Sequence, residues 1–447
     1  MNSLPRLQIC SRNPHLMETA DGKPFFMLGD TAWELAHRLD FEEIQFYFKT
    51  RAAQGFNMIW FNLLAEFDGL READRNGEVP FHGMDPNKPN EKYFAWIDRI
   101  VAEAAAHGLY CGILPTWGDK LTAPWGAGPK IFSDTQTMAR YGEYLSKRYK
   151  DSTNLLWVLG GDRPAKIAKG SWMEDYAKNM GIDPASDWTP LWRALALAIQ
   201  TEIPNALITY HPQGGGDSTS TLIHHEKWLH MNAMQSGHGG GRDVPVWEYV
   251  ERDYNMLPVK PTYDSEPNYE DHPVSPWPTF NPQNGYFDEY DVRRQNWRSV
   301  FAGGCGVIYG HHSIWGFASH RHPWINHTKM DWREAIIRPG AIQMRHLKEL
   351  IESTGMVELV PDQSLLVGKI GEKAEHMRAI RKEDRSWIAV YVPHNGPAVI
   401  HTSDVERKRA EWLDPRTGKR QSAKGDSGNG ITTFQKPNDI DWVLVLG

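Results

Sequence analysis

The chain has 447 residues, enough for one large domain and a smaller one, and 40% of them are hydrophobic and 23% charged. These proportions exclude a disordered or fibrous protein, and the formal net charge of −7 gives no basis for nucleic-acid binding, which requires clustered Lys and Arg. No apolar run reaches the length of a membrane span, and the three cysteines lack metal-ligand or redox spacing. We therefore predict a globular protein without a disulfide framework or a cofactor.

The N-terminal residues MNSLPRLQICSRN contain no apolar core of the kind found in secretion signals. The sequence as it stands predicts a cytoplasmic protein, and a periplasmic or secreted one if a signal segment has been removed. The sequence leaves the oligomeric state open.

Short apolar runs typical of β-strands alternate with segments of helical pattern over residues 1–350. The helical segments are 41–55, 93–108, 135–150 and 189–204. The predicted strands are 24–30, 57–64, 109–117, 154–162, 206–212, 231–238, 260–267 and 304–312. Strands that alternate with helices or long connections in this number predict an α/β fold, a (β/α)8 TIM barrel. A doubly wound open sheet is the alternative, but no glycine-rich nucleotide-binding motif follows the first strand.

Residues 351–447 have a different pattern, in which short strand-like runs such as SWIAVYVP and DWVLVLG are separated by turn sequences such as DPRTG and SGNG. This pattern predicts a small antiparallel β-sandwich domain. We expect this accessory domain to pack on the barrel. Direct glycan binding through Trp387, Trp412 and Trp442 is the alternative.

In a barrel of this type the functional residues lie at the C-terminal ends of the strands. Carboxylates, amides, imidazoles and tryptophans collect at these positions in the predicted strands. The residues concerned are Asp30, Trp33, Asn62, Trp117, Asp162, Arg163, His211, Gln235, His238, Asp264, Glu266, His311 and Trp315. A barrel with a purely structural role has no need for such a ring, so the pattern predicts a functional cleft.

Two of these residues, Asp162 and Glu266, are the candidate catalytic pair. Hydrolysis of a glycosidic bond needs one carboxyl that protonates the leaving oxygen and another that attacks carbon or activates water. The two residues follow the fourth and seventh predicted strands and therefore face the same barrel mouth. The glycines before Asp162 allow a sharp turn of the backbone. As structural alternatives, Asp162 can be the N-cap of the next helix and Glu266 a loop carboxylate.

The other strand-end residues are assigned to substrate binding. Their tryptophans can stack on the flat faces of sugar rings, and their amide, imidazole and guanidinium groups can bind hydroxyls. Asp30 and Asp264 have an alternative role as caps or braces of the backbone. An oligosaccharide or polysaccharide is therefore the predicted partner.

Histidine pairs raise the question of a metal site, namely His311-His312 and the cluster His224-His225-Glu226. Adjacent residues on an extended strand point to opposite faces, and neither HExxH nor facial-triad spacing is present. We therefore predict no metal. A metal-dependent barrel hydrolase and a non-catalytic carbohydrate-binding protein on the same scaffold are the alternatives.

Five segments together resemble the apiosidase-like glycoside hydrolases, a bacterial (β/α)8 family whose members often carry a C-terminal β domain labelled as collagen-binding. The segments are FFMLGDTAWEL, FNMIWFNLL, LLWVLGGDRP, PTYDSEPNYE and GVIYGHHSIW. The resemblance covers nearly the whole chain, from about residue 22 to 345 and again from about 355. It implies that Asp162, in the GGD motif, is the general acid/base. It also implies that Glu266, in DSEP, is the nucleophile or its equivalent.

The resemblance further implies cleavage of apiosyl linkages in the side chains of plant pectin. A broader group of similar barrel glycosidases has Asn-Glu at the end of strand four, where this chain has Gly161-Asp162. The shorter aspartate leaves the separation of the carboxylates, and hence retention or inversion, open. We expect a glycoside hydrolase, of the retaining type, that acts on pectic oligosaccharides.

Overall fold

The structure is a computed structural model of the chain. It describes residues 4–122, 128–216, 218–274, 280–393, 396–402 and 409–447. The chain begins with an antiparallel sheet of three strands, β1 (Leu7–Ile9), β2 (Met17–Thr19) and β3 (Pro24–Phe25). Each of these strands contributes an apolar side chain to a cluster that continues into the barrel interior. This small sheet therefore packs on the end of the barrel where the parallel strands begin.

Eight parallel strands form the barrel: β4 (Met27–Thr31), β5 (Met58–Asn62), β6 (Tyr110–Leu114), β7 (Leu155–Gly160), β8 (Ile208–His211), β9 (Asn232–Met234), β10 (Thr262–Asp264) and β11 (Gly306–Tyr309). Their spatial order is β8-β7-β6-β5-β4-β11-β10-β9. The end strands β8 and β9 meet where the His230 N–H donates to the Ile208 carbonyl at 2.9 Å. The hydroxyl of Thr209 also donates to the Met231 carbonyl at 3.2 Å. The sheet is therefore a nearly closed TIM-type barrel, and the predicted fold is confirmed.

The helices are α1 (Leu35–Arg38), α2 (Phe41–Ala53), α3 (Glu91–Ala106), α4 (Thr135–Tyr149), α5 (Trp172–Asn179), α6 (Thr189–Glu202), α7 (Thr219–Leu222), α8 (Val246–Tyr254), α9 (Glu289–Phe301), α10 (Trp332–Ala335) and α11 (Pro339–Glu352). The four predicted helical segments correspond to α2, α3, α4 and α6. A capping box begins α2, because Asp40 accepts from the Glu43 N–H and Glu43 accepts from the Asp40 N–H, each at 3.0 Å. In the described part of the chain no helix is long and apolar enough to cross a membrane.

The indole of Trp60, on β5, fills the barrel interior beneath the strand ends. A Cβ atom at Gly112 of the neighbouring strand would lie 2.6 Å from this ring. Glycine at that position therefore makes room for the indole. Trp60 in turn meets Trp33 edge to face, with ring centroids 6.2 Å apart. This packing fills the barrel interior directly beneath the residues at the C-terminal ends of the strands.

The C-terminal strands are β12 (Leu359–Pro361), β13 (Arg378–Lys382), β14 (Ile388–Val392), β15 (Ala398–His401), β16 (Ala410–Leu413), β17 (Arg420–Ser422), β18 (Gly425–Gly428), β19 (Ile431–Phe434) and β20 (Trp442–Leu446). They form an antiparallel sheet in the order β12-β13-β14-β20-β16-β17 and a second one in the order β15-β19-β18. The predicted β-sandwich is confirmed. The boundary predicted after residue 350 stays a prediction; α11 ends at Glu352 and β12 begins at Leu359.

The central strands β14 and β20 of the larger sheet are buried on both faces. Along β14, Ile388, Val390 and Val392 pack in the cluster between the two sheets, whereas Ala389 and Tyr391 join a cluster that contains residues of α9 and α11. This alternation is the period-two pattern of a strand between two apolar layers. The second domain therefore packs directly on the helices of the barrel, as expected from the sequence.

A buried ion pair joins the two domains at the same interface. The guanidinium of Arg293, on α9, contacts both carboxylate oxygens of Asp441 at 2.7 and 3.0 Å. The hydroxyl of Tyr391 donates to the same carboxylate at 3.0 Å. Because Arg293 and Asp441 are almost completely buried, each needs the other as a partner.

Candidate active site

A cavity of about 680 Å³ lies at the C-terminal ends of the barrel strands. Its size lies in the range of clefts that bind small organic ligands. Seven of the residues predicted from the sequence line this cleft. They are Trp33, Trp117, Asp162, Gln235, His238, Glu266 and Trp315. The structure therefore brings both candidate catalytic carboxyls into one cleft.

The backbone that carries Asp162 turns sharply at the end of β7. Gly160, Gly161 and Asp162 have φ angles of +89°, +101° and +53°, a region that favours glycine. A Cβ atom at Gly160 would lie 2.3 Å from the His211 carbonyl oxygen, and one at Gly161 would lie 2.8 Å from the Trp117 ring. The two glycines are therefore required both for the turn and for the close approach of neighbouring strands.

Asp162 does not cap the next helix, because α5 begins ten residues later with Ser171 as its N-cap. The Asp162 side chain is 27% exposed, in the cleft. Behind it, the fully buried Arg163 donates from Nη1 to the Asp162 carbonyl at 2.7 Å and to its Oδ2 at 3.2 Å. Arg163 was predicted to bind substrate, but it does not line the cleft. Its guanidinium instead contacts the backbone carbonyl and the carboxylate of Asp162.

The carboxylate of Glu266 is surrounded by side-chain nitrogen atoms. Gln235 donates to Oε1 at 2.9 Å, His238 Nε2 lies 3.0 Å from Oε1, and His211 Nε2 lies 3.1 Å from Oε2. Burial works to raise the pKa of Glu266, but the imidazoles of His211 and His238 outweigh it and hold that pKa well below its ordinary value. Glu266 is therefore ionised, as a nucleophile or a base requires.

His211 is oriented by a chain of hydrogen bonds. The Ser265 hydroxyl donates to the Met234 carbonyl at 2.7 Å, so its oxygen is left to accept from His211 Nδ1 at 2.9 Å. The other ring nitrogen, Nε2, lies 3.1 Å from Glu266 Oε2, a contact that lacks hydrogen-bond geometry. His211 was predicted to bind substrate hydroxyls; it is instead fully buried and contacts the glutamate.

His238 is held between two aromatic rings that sequence reasoning missed. It stacks on His272, with ring centroids 4.3 Å apart and an angle of 20°, and meets the edge of Tyr269 at 4.4 Å. Both of these residues also line the cleft. Burial holds the pKa of His272 well below its ordinary value, so this ring is neutral.

The tryptophans form two walls of the cleft. Trp33 and Trp117 pack against each other with ring centroids 5.1 Å apart. Trp315 packs against Phe67 at 5.5 Å, and its indole N–H donates to His312 Nδ1 at 3.4 Å. Flat apolar walls of this kind suit the faces of sugar rings.

Two predicted binding residues point away from the cleft. Asp30 is fully buried against α2, where it accepts from Arg51 Nε at 2.5 Å and from the Tyr47 hydroxyl. His311 is buried as well, with Nε2 3.1 Å from Asp271. Successive strand residues face opposite sides of the sheet, and both of these residues face the surrounding helices and loops. The expected contact of Asp30 and His311 with substrate is therefore corrected to a bracing role.

Asp264 and Asn62 are also buried without lining the cleft. Asp264 accepts from the Ser236 hydroxyl and from the Ser236 N–H, the latter at 3.2 Å, and burial raises its pKa to about 6. Asp264 therefore braces the loop after β9, and this role replaces the predicted contact with substrate. Asn62 lies beneath the tryptophan walls, where its N–H donates to the Trp33 carbonyl at 3.2 Å.

Glu66 is the most important cleft residue that sequence reasoning missed. It follows β5 by four residues, beyond the strand end at which functional residues of a barrel are expected. Burial, the largest effect, raises the pKa of this carboxyl to about 8, while Arg163 opposes the shift and the charge of Asp162 adds to it. In the described residues no group of three or more His, Cys, Asp or Glu side chains is arranged to hold a metal ion.

Several solved structures match almost the whole chain, and two of them are 28% identical to it. One, titled "Glycoside hydrolase", is 28% identical, with a TM-score of 0.83 over 99% of this chain and 96% of that chain. The other, a glycoside hydrolase family 5 protein from Bacteroides vulgatus, has the same identity and TM-score over 99% of this chain and 93% of that chain. An exo-β-1,4-mannosidase from an Opitutaceae bacterium shares the fold, with 14% identity and a TM-score of 0.52. The match covers 77% of this chain and 62% of the mannosidase chain. No curated protein matches the chain by sequence.

The barrel, its carboxylate-bearing cleft and these matches define the class: the protein is a glycoside hydrolase. The family model "Apiosidase-like, catalytic domain" matches residues 11–358, and the chain belongs to that family. A second family model, described as "Putative collagen-binding domain of a collagenase", matches residues 360–447. The family resemblance predicted from the sequence motifs is therefore confirmed.

Proposed function

We propose that the protein is a retaining glycoside hydrolase that cleaves apiosyl linkages in plant pectic oligosaccharides, with Glu266 as nucleophile and Asp162 as general acid/base. The observation that carries the proposal is the contrast between these two carboxyls in one cleft. Glu266 is buried and held ionised by two imidazoles and an amide, whereas the Asp162 side chain is 27% exposed in the cleft and contacts Arg163 at 3.2 Å. Two carboxyls in such different environments are expected to have different roles, one as the nucleophile and the other in proton transfer.

In the first step the Glu266 carboxylate forms an ester bond with the anomeric carbon. The glycosidic C–O bond breaks, and Asp162 transfers its proton to the leaving oxygen, which departs as an alcohol. In the second step Asp162, now a carboxylate, removes a proton from water, and the resulting oxygen attacks the anomeric carbon. This attack releases Glu266 as a carboxylate and leaves Asp162 protonated again.

Two variants test the roles of the carboxyls. Glu266→Gln and Asp162→Asn should each lower kcat/KM on a natural oligosaccharide by orders of magnitude with an unchanged unfolding temperature. On an aryl glycoside, whose leaving group needs no proton, Asp162→Asn should retain much more of its activity than Glu266→Gln. Near wild-type turnover of the oligosaccharide by either variant removes that residue from the mechanism.

Product analysis tests the stereochemistry and the sugar. A retaining enzyme gives an initial product with the anomeric configuration of the substrate, as followed by proton NMR in the first minutes of reaction. The proposed linkage is tested with apiosyl-bearing pectic oligosaccharides and matched ones that lack apiose. Release of apiose from the first set alone supports the substrate proposal; inversion, or equal cleavage of both sets, contradicts the respective part.

A further inference from the structure

His238 lacks the second hydrogen bond that orients His211. Its Nε2 lies 3.0 Å from Oε1 of Glu266, whereas its buried Nδ1 has no hydrogen-bond partner among the residues that the structure describes. In His211, by contrast, Nδ1 is hydrogen-bonded to the Ser265 hydroxyl at 2.9 Å. An imidazole is ordinarily oriented by the hydrogen bond of its second nitrogen. The orientation of the His238 ring therefore depends on the rings that pack against it.

The two rings that hold His238 come from one turn after β10. Tyr269 and His272 are the first and last residues of this turn, which is closed by a hydrogen bond from the His272 N–H to the Tyr269 carbonyl at 3.2 Å. His272 stacks on the face of the His238 ring, and Tyr269 meets that ring edge to face. A Cβ atom at Gly310 would overlap the Tyr269 ring, so glycine makes room for it there. The turn therefore presents both rings to one imidazole.

The His272 ring is itself fixed and uncharged. Its Nδ1 lies 2.9 Å from the Pro273 carbonyl oxygen and therefore carries a proton. The ring meets Phe280 and His312 edge to face, with centroids 4.7 and 4.4 Å away. Burial lowers the pKa of His312 to about 3 and holds the pKa of His272 well below its ordinary value. His272 is therefore a flat neutral surface that carries no charge to attract the Glu266 carboxylate.

We propose that His272 is a positioning residue for the nucleophile, because its stacked ring keeps Nε2 of His238 at Oε1 of Glu266. A half-turn of the His238 ring would put a carbon where Nε2 now lies. That rotation would carry the ring through the space that His272 occupies, and no hydrogen bond at Nδ1 opposes it. Stacking thus replaces the hydrogen bond that Ser265 makes to His211. The inference rests on the proposed role of Glu266 as nucleophile.

Two substitutions separate the ring of His272 from its hydrogen bond. His272→Asn keeps a side-chain N–H for the Pro273 carbonyl and removes the ring, whereas His272→Phe keeps a flat ring and removes that N–H. On an apiosyl-bearing oligosaccharide, His272→Asn should lower kcat/KM about 2- to 12-fold, the value of one pair of packed rings. His272→Phe should stay within about twofold of the wild type. The opposite order, or an equal effect of both substitutions, overturns the proposal.

A double-variant cycle tests whether His272 acts through His238. His238→Ala removes the imidazole that is to be positioned. Adding His272→Asn to this variant should therefore cause no further loss of kcat/KM, because the two substitutions remove the same interaction. If the losses of the two single variants multiply in the double variant, the residues act independently and the proposal is overturned.

His376→Asn is the matched control. His376 also stacks on an aromatic ring, that of Trp247 on α8, with centroids 4.1 Å apart and an angle of 13°. Burial lowers the pKa of His376 to about 4, so this ring is neutral as well. The stack joins α8 to the second domain, away from the cleft. His376→Asn can lower the unfolding temperature but should leave kcat/KM unchanged. A loss as large as that in His272→Asn overturns the proposal.

NMR of protein with nitrogen-15 in its histidines gives a readout that needs no substrate. An ionised carboxylate only accepts hydrogen bonds, so Nε2 of His238 carries a proton. Its N–H signal, identified by its loss in His238→Ala, should exchange slowly with water in the wild type and in His272→Phe. In His272→Asn it should exchange faster or disappear. Equal protection in His272→Asn, or no protected signal in the wild type, overturns the proposal. Full activity of Glu266→Gln would instead refute the proposed function, so the two failures are distinguishable.

Discussion

Nε2 of His211 lies 3.1 Å from Oε2 of Glu266, and the other nitrogen of the same ring is held by Ser265. The imidazole is therefore hydrogen-bonded to Ser265 through one nitrogen and contacts the glutamate through the other. Because both side chains are buried, this contact is little screened by water or salt. It is one of the contacts that lower the pKa of Glu266.

Removing this imidazole should change the acid side of the activity profile. With His211→Ala the pKa of Glu266 should rise, because a group that lowers it is lost while burial continues to raise it. The acid limb of kcat/KM should therefore move to higher pH, and kcat/KM at pH 7 should fall about 10- to 100-fold, the equivalent of roughly 1.4–2.8 kcal/mol for a lost contact to a buried carboxylate. His107→Ala, at the end of α3, is the control; an acid limb that stays in place in His211→Ala contradicts the assignment.

Two glycines with positive φ should respond differently to alanine. Gly161 has φ +101° and a Cβ would lie 2.8 Å from the Trp117 ring, whereas Gly170 has φ +78° and nothing within 4 Å. Gly170→Ala should cost about 1–2 kcal/mol through the backbone alone. Gly161→Ala should cost about 1–3 kcal/mol more through steric overlap and should lower kcat by displacing Asp162. Calorimetry and kcat measurements check both; equal losses of stability would show that the close approach to Trp117 is unimportant.

Glu270 should make stability depend on pH. Burial raises its pKa to about 7, and it accepts from the Tyr309 hydroxyl at 2.6 Å and from the Gly340 N–H at 3.2 Å. A carboxyl with a raised pKa in the folded state contributes fully when protonated, and the contribution is lost as the pH rises from the ordinary carboxyl range through about 7. As the pH rises from 5 to 8, the free energy of unfolding of Glu270→Gln should therefore decrease less than that of the wild type. Parallel curves of Tm against pH for the two proteins would refute this.

The ion pair between Arg293 and Asp441 should affect the free energy of unfolding but not the catalytic activity. Asp441→Ala leaves the buried Arg293 without its carboxylate and the Tyr391 hydroxyl without its acceptor. We expect a loss of about 3–5 kcal/mol. Asp426→Ala, at an exposed position on β18, should change stability by no more than about 0.5 kcal/mol. Urea unfolding followed by tryptophan fluorescence compares them; identical midpoints would show that the pair contributes nothing.

Sequence patterns predicted the fold well, because strand–helix alternation and strand-end chemistry are local features. They could not predict which way each side chain points. Asp30 and Trp33 lie three residues apart at the end of β4, yet Asp30 meets Arg51 behind the sheet while Trp33 lines the cleft. The direction of each side chain depends on the register of the barrel strands and on which side chains of the surrounding helices lie opposite it.

Loops limited the prediction of the site in another way. Glu66 reaches the cleft because Glu34 and Lys120 hold the loop after β5, and those contacts join residues far apart in the sequence. His272 and Tyr269 likewise follow β10 on a long connection. No periodic pattern marks such residues, so their place in the cleft becomes visible only in three dimensions.

The central strands β14 and β20 of the larger sheet are buried on both faces, and this limits how the chain can be re-engineered or recombined. One layer of their side chains belongs to the sandwich and the next belongs to α9 and α11. An exchange of the C-terminal module between homologues would therefore have to transplant the complementary helix surfaces, including Arg293, along with it. Exchanging the two domains independently would leave unmatched surfaces at their interface.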